Sequence, residues 1–318
     1  VATKAGTIHI DRALTNFSLK YKNGGLIADQ IMPPVAVIKE SDSYFVYGRQ
    51  DFRITEDVRA DGAESQQVDS WKIDSTPTYR CREHALKDFV TDRMRKNADA
   101  PLAPDFDVTQ NLTNMILLNK EKRVVDTIFV ATAYATSGHT TQLAGDEQWN
   151  NAAFDTDSTE DAIEVRIDTA KEAVREDTGN DPNVIVIPAQ VSKVVKRDPT
   201  VRDLVKHTHS DLLVNGDLPA TLWNMKVLIP GSAYDSAEEG QTYSGSNMWG
   251  NHVLVAYVAP NALTPRTLTL GLQFVSQKFQ TSKWRDAARK ADFIEPCEIL
   301  DEKVVCEYCG YFIEDVIG

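Results

Sequence analysis

The sequence contains only four cysteines and six histidines in 318 residues, and this scarcity limits the chemistry it can carry. Cys81 and Cys297 stand alone. Cys306 and Cys309 form one Cys-x-x-Cys, which is half of a structural zinc site, so a metal would need Cys81 and Cys297 to converge on it from distant positions. Free buried thiols are the simpler expectation. The pair falls in VVCEYCGYFI, a strand-like stretch rather than a helix start, which argues against a thioredoxin-type dithiol. His207 and His209 lie two apart beside Asp203 and Asp211 and would share a face on a strand, although six histidines in a chain this long make a chance pair easy. No G-x-S-x-G elbow, Walker loop, dinucleotide-binding glycine turn or H-E-x-x-H helix occurs. Carboxylates such as Asp11, Glu40 and Asp42 show no spacing that defines a general acid and base, and each reads as solvated surface. The chain is therefore read as no enzyme, with no cofactor and no metal.

Long apolar runs are also missing. None approaches the ~18 residues of a membrane span, and VATKAGTIHIDRALTN lacks the apolar centre of a secretory signal, so nothing in the sequence points to a membrane or to export. Basic residues are outnumbered, with 34 Lys and Arg against 47 Asp and Glu, a net charge of −13. A chain of that sign does not grip nucleic acid across a basic face. Solubility alone is the plainest reading of that excess. The acidic residues crowd between Asp146 and Asp181, whereas Lys4, Arg12, Lys20 and Lys22 make the first stretch locally positive.

What is present is a mixed pattern long enough for one large or two medium domains with real cores. Residues 1–40 have few apolar positions and carry Gly24-Gly25 and Pro33-Pro34 as breakers, so they read as an extended arm that gains its order from other subunits. Residues 41–88 read as two long strands, SYFVYGRQDFRI and VDSWKIDSTPTYR, joined by the polar TEDVRADGAESQQ. A strand of about 11 residues spans roughly 36 Å, and an isolated hairpin is marginal in water, so this one needs a surface to lie on. In residues 89–157, Asp107 and Gln110 make a capping-box-like start to a helix over about 107–133 that carries Val108, Leu112, Met115, Ile116, Val124, Val125, Ile128 and Phe129.

Residues 158–176 predict an amphipathic helix with Ile163, Ile167, Ala170 and Val174 inward. Val184–Ile187 is a β-branched run expected as a strand buried on both faces, and Pro188 opens a helix bearing Val191, Val194 and Val195 until Asp198-Pro199 interrupts it. Further buried strands are expected at Met225–Ile229, closed by Pro230-Gly231, and at Val253–Val258. Strands alternating with helices make a compact α/β unit. Past Pro260, TLTLGLQFVSQKFQ alternates like a strand, KWRDAARKADF is basic, and CEILDEKVVCEYCGYFIEDVI reads as strands returning to an earlier domain.

The phrases VIVIP, KVLIPGSAYDS and MWGNHVLVAYVAP, in that order, resemble the A-domain of tailed-bacteriophage major capsid proteins of the Hong Kong 97 fold. The resemblance implies an α+β fold with an N-terminal arm (1–40), an E-loop hairpin (41–88), a P-domain with a spine helix (89–157), an A-domain (158–265) and a segment returning to the P-domain (266–318, part of the A-domain to about 285). It implies self-assembly into hexamers and pentamers of an icosahedral shell around a double-stranded DNA genome, held without sequence-specific contacts. The location would be the virion, assembled in the host cytoplasm, with scaffold, portal and decoration proteins as further partners. Any scaffold would be a separate protein or a segment cleaved before Val1. In the E-loop, Tyr47, Phe52, Arg59, Asp61, Glu64, Trp71 and Lys72 are the candidate inter-subunit contacts. Some members join subunits by lysine-to-asparagine links; no motif around Lys72 supports one here. Two alternatives accompany this reading: an encapsulin-type compartment shell, and an α/β enzyme with a centre built from Cys81, Cys306, Cys309, His207 or His209.

Overall fold

A computed structural model describes residues 9–10, 25–47, 54, 57–62, 64–65, 77–98, 103–156, 158, 160–206, 218–237, 240–242, 244–261 and 264–318. Its strands are β1 (His9–Ile10), β2 (Pro34–Ala36), β3 (Ser41–Ser43), β4 (Thr78–Arg80), β5 (Arg82–Ala85), β6 (Asp88–Thr91), β7 (Thr140–Gln142), β8 (Val184–Val186), β9 (Thr221–Leu222), β10 (Met225–Leu228), β11 (Ala233–Asp235), β12 (Gly245–Asn247), β13 (Val253–Ala256), β14 (Gly271–Asp286), β15 (Ala291–Val304) and β16 (Gly310–Glu314). Its α-helices are α1 (Ala28–Ile31), α2 (Asp92–Asn97), α3 (Pro104–Ile128), α4 (Ile163–Thr178), α5 (Ala189–Val195) and α6 (Pro199–Lys206).

Two sheets organise the chain. In the first, β14 and β15 form a long antiparallel hairpin; β1 and β2 pair with β14, and β5 and β6 with β15. The second has the order β7-β16-β13-β8-β10-β9. Its centre explains the continuous apolar runs. Val184, Val186, Leu254, Ala256 and Phe312 face one core with Val124, Val125, Ile128, Phe129, Tyr134 and Trp249. Ile185, Ile187, Val253, Val255 and Ile313 face the other, with Ile163, Ile167, Ala170, Val191 and Val195. A strand covered on both faces has no polar side to alternate with.

The α4 stripe is as expected, and the helix ends where Gly179 takes φ +65 and donates its N–H to Arg175 O at 2.8 Å. β8 and β10 are parallel and joined through α5 and α6. Asp198 does more than stop α5, because its Oδ1 accepts the N–H groups of Thr200 (2.9 Å) and Val201 (3.1 Å) and starts α6. His207 and His209 lie outside the described residues.

Four expectations are revised. The long helix starts at Pro104, whose ring presets φ at the first helical position, so Asp107 sits in its first turn rather than at its cap. It ends at Ile128, short of the expected 133, because Val130 is extended; a 3₁₀ turn, Ala131–Tyr134, follows. Its 25 residues extend about 37 Å. Second, the end of the expected arm is core: Ile27, Ala28, Ile31 and Met32 are buried beside α3, and Val35 beneath β14. Four apolar positions on one face of a single helical turn are too short a pattern to register as periodicity.

Third, the expected hairpin begins its ladder earlier. β3 and β4 pair Ser41 with Arg80 and Ser43 with Thr78, whereas Tyr44–Tyr47 have already left the strand. Residues 48–53 and 66–76, most of the expected hairpin, lie outside the described residues. Fourth, the C-terminal segment divides. β14 and β15 join β5 and β6, but β16 inserts between β7 and β13 with Leu254 opposite Phe312, inside the sheet expected to end before residue 266. Apolar content on both faces of β16 places it at a sheet centre.

Gly310 opens β16 at a tight crossing. A Cβ there would stand 2.6 Å from Tyr134 Cε1 and 2.9 Å from Leu270 Cδ1. Gly310→Ala is expected to destabilise the free chain by about 1–3 kcal/mol through overpacking, as measured by urea denaturation.

Candidate assembly surfaces

The second sheet, α3 and the β14–β15 hairpin are held together by polar groups that apolar patterning does not show. Glu121 on α3 is fully buried. Its Oε1 accepts Ile27 N–H at 3.0 Å and the Trp249 indole N–H at 2.9 Å, and its Oε2 accepts Ala28 N–H at 2.8 Å. One carboxylate thereby joins the N-terminus of α1, the middle of α3 and the Met248-Trp249 loop. Burial pushes the Glu121 carboxyl upward while the three donors pull it back.

Two residues further on, Arg123 Nε donates to Glu302 Oε1 at 3.0 Å, and its Nη2 lies 3.9 Å from Glu298 Oε1. Lys120 Nζ pairs with Asp29 at 2.7 Å. Glu298 and Glu302 on β15 are 5% and 8% exposed, and burial raises both carboxyls against the pull of Arg123 and Lys120. His84 on β5 stands opposite Glu298 in register; burial, then Arg123 and Arg82, lower its pKa to about 4, leaving it neutral at pH 7.

A second ion cluster fixes the distal end of the hairpin. Arg285 grips Asp92 through two bonds of 2.6 and 2.5 Å and reaches Asp292 at 3.2 Å. Arg95 binds Asp105 and Asp292, each at 2.7 Å, and Lys283 reaches Asp105 at 3.3 Å. The start of α3, all of α2 and the hairpin tip are thus one frame. Beside it, Trp284 stacks on Phe293 (5.6 Å) and Phe89 tilts against Phe293 (5.7 Å), with Phe89, Met94 and Phe106 partly open to solvent.

The base of the expected loop is anchored within its own chain. Tyr47 donates its N–H to Val305 O at 3.1 Å and its hydroxyl to Arg266 O, and the Arg266 guanidinium lies 4.6 Å over the Phe45 ring. Tyr47, a candidate inter-subunit contact, is thus also anchored within its own chain, and Phe45 and Arg266 are partners that sequence reasoning missed. A Tyr alternating with Phe in a strand-like run was the available signal, but its partner lies 219 residues away. Ile54 and Val58 beyond this anchor, and Ile38 before β3, are almost fully exposed, so the body of the chain leaves apolar side chains around the loop uncovered. Arg59, Asp61 and Glu64 are exposed, and Gly62 makes the tip turn with φ +77. Phe52, Trp71 and Lys72 lie outside the described residues.

The cysteines do not converge on one centre. Cys81 donates to Phe274 O at 3.3 Å, Cys297 accepts from Gln277 Nε2 at 3.6 Å, and Cys306 and Cys309 are buried in the core between α3 and the second sheet. Among the described residues no group of three or more His, Cys, Asp and Glu is placed to hold a metal ion, and no helix is long and apolar enough to cross a membrane.

No protein-family model matches the chain. Solved structures define its class. A phage-related protein from Bordetella bronchiseptica RB50 superposes with a TM-score of 0.74 at 19% identity, covering 96% of this chain and 97% of its own. The capsid protein of Cyanophage P-SCSP1u gives a TM-score of 0.61 at 12% identity over 99% and 92%. The α+β fold is that of phage capsid proteins. In sequence, the chain is 27% identical over 313 residues, 97% of either chain, to the major capsid protein of Burkholderia phage BcepMu. The resemblance carried by VIVIP, KVLIPGSAYDS and MWGNHVLVAYVAP therefore extends over nearly the whole length, to phage major capsid proteins as such.

Proposed function

We propose that this chain is a major capsid protein whose copies form a closed shell, and that its role is structural rather than enzymatic. The observation that carries the proposal is similarity to a phage major capsid protein across 97% of either chain. Two physical features support it: a frame braced by two ion clusters, and a loop base fixed to the body while apolar side chains beyond it stay uncovered. An uncovered apolar loop gains stability when another copy buries it.

In the finer reading, residues 41–88 are the E-loop, α3 is the spine helix of a P-domain, the second sheet with α4–α6 is the A-domain, and residues before Ile27 are the arm. Tyr47, Phe52, Arg59, Asp61, Glu64, Trp71 and Lys72 contact a neighbouring copy. Hexamers and pentamers form by heterologous contacts and close into an icosahedral lattice around double-stranded DNA, without sequence-specific binding. The shell is the virion coat, assembled in the host cytoplasm with scaffold, portal and decoration proteins.

Replacing residues 48–76 by a short Gly-Ser turn tests this reading. The variant is expected to stay folded, because β3, β4 and the Tyr47 anchor remain, and to lose particle formation, read by negative-stain microscopy alongside the unmodified chain. Shells of normal yield would remove the loop from assembly. Absorbance at 260 and 280 nm of native particles separates a genome-filled coat from a protein-filled compartment.

A further inference from the structure

The chain passes between its two sheets through Val305–Cys309: β15 ends at Val304 in the first and β16 begins at Gly310 in the second. This passage contains the Cys-x-x-Cys, for which shell formation has no use. Cys309 N–H donates to Cys306 O at 3.2 Å, closing a four-residue turn. Such a turn keeps its end Cα atoms within about 7 Å, and a disulfide requires roughly 4.4–6.8 Å. Both ends are held: Cys306 N–H donates to Leu270 O at 3.3 Å, and Cys309 O accepts Tyr257 N–H at 2.7 Å. The side chains meet as well, the Cys309 thiol donating to the Cys306 sulfur, toward which the N–H groups of Tyr308 and Cys309 also point.

We propose that Cys306 and Cys309 are a disulfide-forming pair that staples the passage between the sheets, oxidised by a small-molecule disulfide and reopened by a dithiol. The donors around Cys306 favour its thiolate, while the Cys309 thiol, beside that sulfur and buried, is pushed up and stays protonated. Cys306 is thus the attacking sulfur. With oxidised glutathione it forms a mixed disulfide and releases one glutathione thiolate. Cys309 then loses its proton and displaces the second glutathione, so two protein thiols are oxidised and one disulfide is reduced to two thiols. Cys306 and Cys309 are 2% and 0% exposed, so exchange proceeds through local opening of the turn, and the closed bond is shielded from reductant. The ring is small, and the expected rise in unfolding midpoint is about 3 °C.

The test uses the full chain, folded, incubated with oxidised glutathione, then denatured and labelled with a maleimide. Two of the four thiols are expected to escape labelling, with loss of two hydrogens in the intact mass, and both belong to the tryptic peptide after Lys303. Cys309→Ala is expected to hold a glutathione adduct on Cys306 and form no internal bond. Labelling of all four thiols, or a bridge to Cys81 or Cys297, overturns the proposal. The unmodified chain decides this even if the variant does not fold, and the result does not depend on particle formation.

Discussion

Glu121→Ala is expected to destabilise the free chain by about 4 kcal/mol or more, because buried donors left without an acceptor cost roughly 1–3 kcal/mol each. Three lose theirs: the N–H groups of Ile27 and Ala28 and the indole of Trp249. Alanine supplies no acceptor in place of the carboxylate that all three share. Glu121→Gln keeps one oxygen but turns an NH₂ group toward a donor, and is expected to cost about half as much. Urea denaturation gives the magnitudes. Limited proteolysis gives the location, since α1 loses its hold on α3 and cleavage is expected between residues 25 and 36. A loss below 1 kcal/mol for alanine would mean that the network follows the fold rather than fastening it.

Arg123→Met is expected to cost about 3–5 kcal/mol at pH 8, the range for stripping a buried charge pair of one partner. Glu302 would keep its burial and lose its bonded cation, and Glu298 would keep its burial with Lys120 as the remaining cation nearby. The pH dependence has a definite sign. Both carboxyls already titrate above their unfolded value through burial, so their contribution is fully present below the unfolded pKa and is lost as pH rises through the folded one. Removing Arg123 raises both further and also relieves His84, whose pKa of about 4 owes part of its depression to that guanidinium. The variant is therefore expected to come closest to the unmodified chain near pH 5 and to fall furthest behind at pH 8. A penalty independent of pH between these values would show that the cluster acts by packing alone. Arg123→Met with Glu302→Met is expected to recover part of the loss, because two apolar side chains of similar volume need no counter-charge.

The elements legible from sequence share one property: their side-chain pattern repeats over more than two turns or fills a strand covered on both faces. The α4 stripe at Ile163, Ile167, Ala170 and Val174, and the runs in β8 and β13, needed no knowledge of their neighbours, whereas β10, expected as a buried strand over Met225–Ile229, ends at Leu228 and leaves Lys226 and Ile229 exposed. The loop over residues 41–88 reads in sequence as aromatic strand-like runs without a core, and of its candidate contacts Arg59, Asp61 and Glu64 are exposed. The anchoring of Tyr47 was not legible, because its partner, the Arg266 carbonyl, is unrelated to it by any local spacing. The same limit explains α1: four apolar residues make no period, and only Glu121, 93 residues away in sequence from Ala28, makes them core.

By itself the sequence determined the class of chain, an acidic α+β protein without a recognisable catalytic motif, and the order of its long helix, its buried strands and its capsid-like phrases, because periodicity and burial on both faces are local properties. Tertiary structure alone decided which sheet each C-terminal strand enters, where the arm becomes core, and which carboxylates are buried. β16 could have paired beside β15 on pattern alone; it enters the second sheet because the turn at Cys306–Cys309 redirects the chain and both faces of β16 find apolar cover there. Glu121, Glu298 and Glu302 look like any surface glutamate in one dimension, and their meaning comes from donors and cations that only folding brings within 3–4 Å.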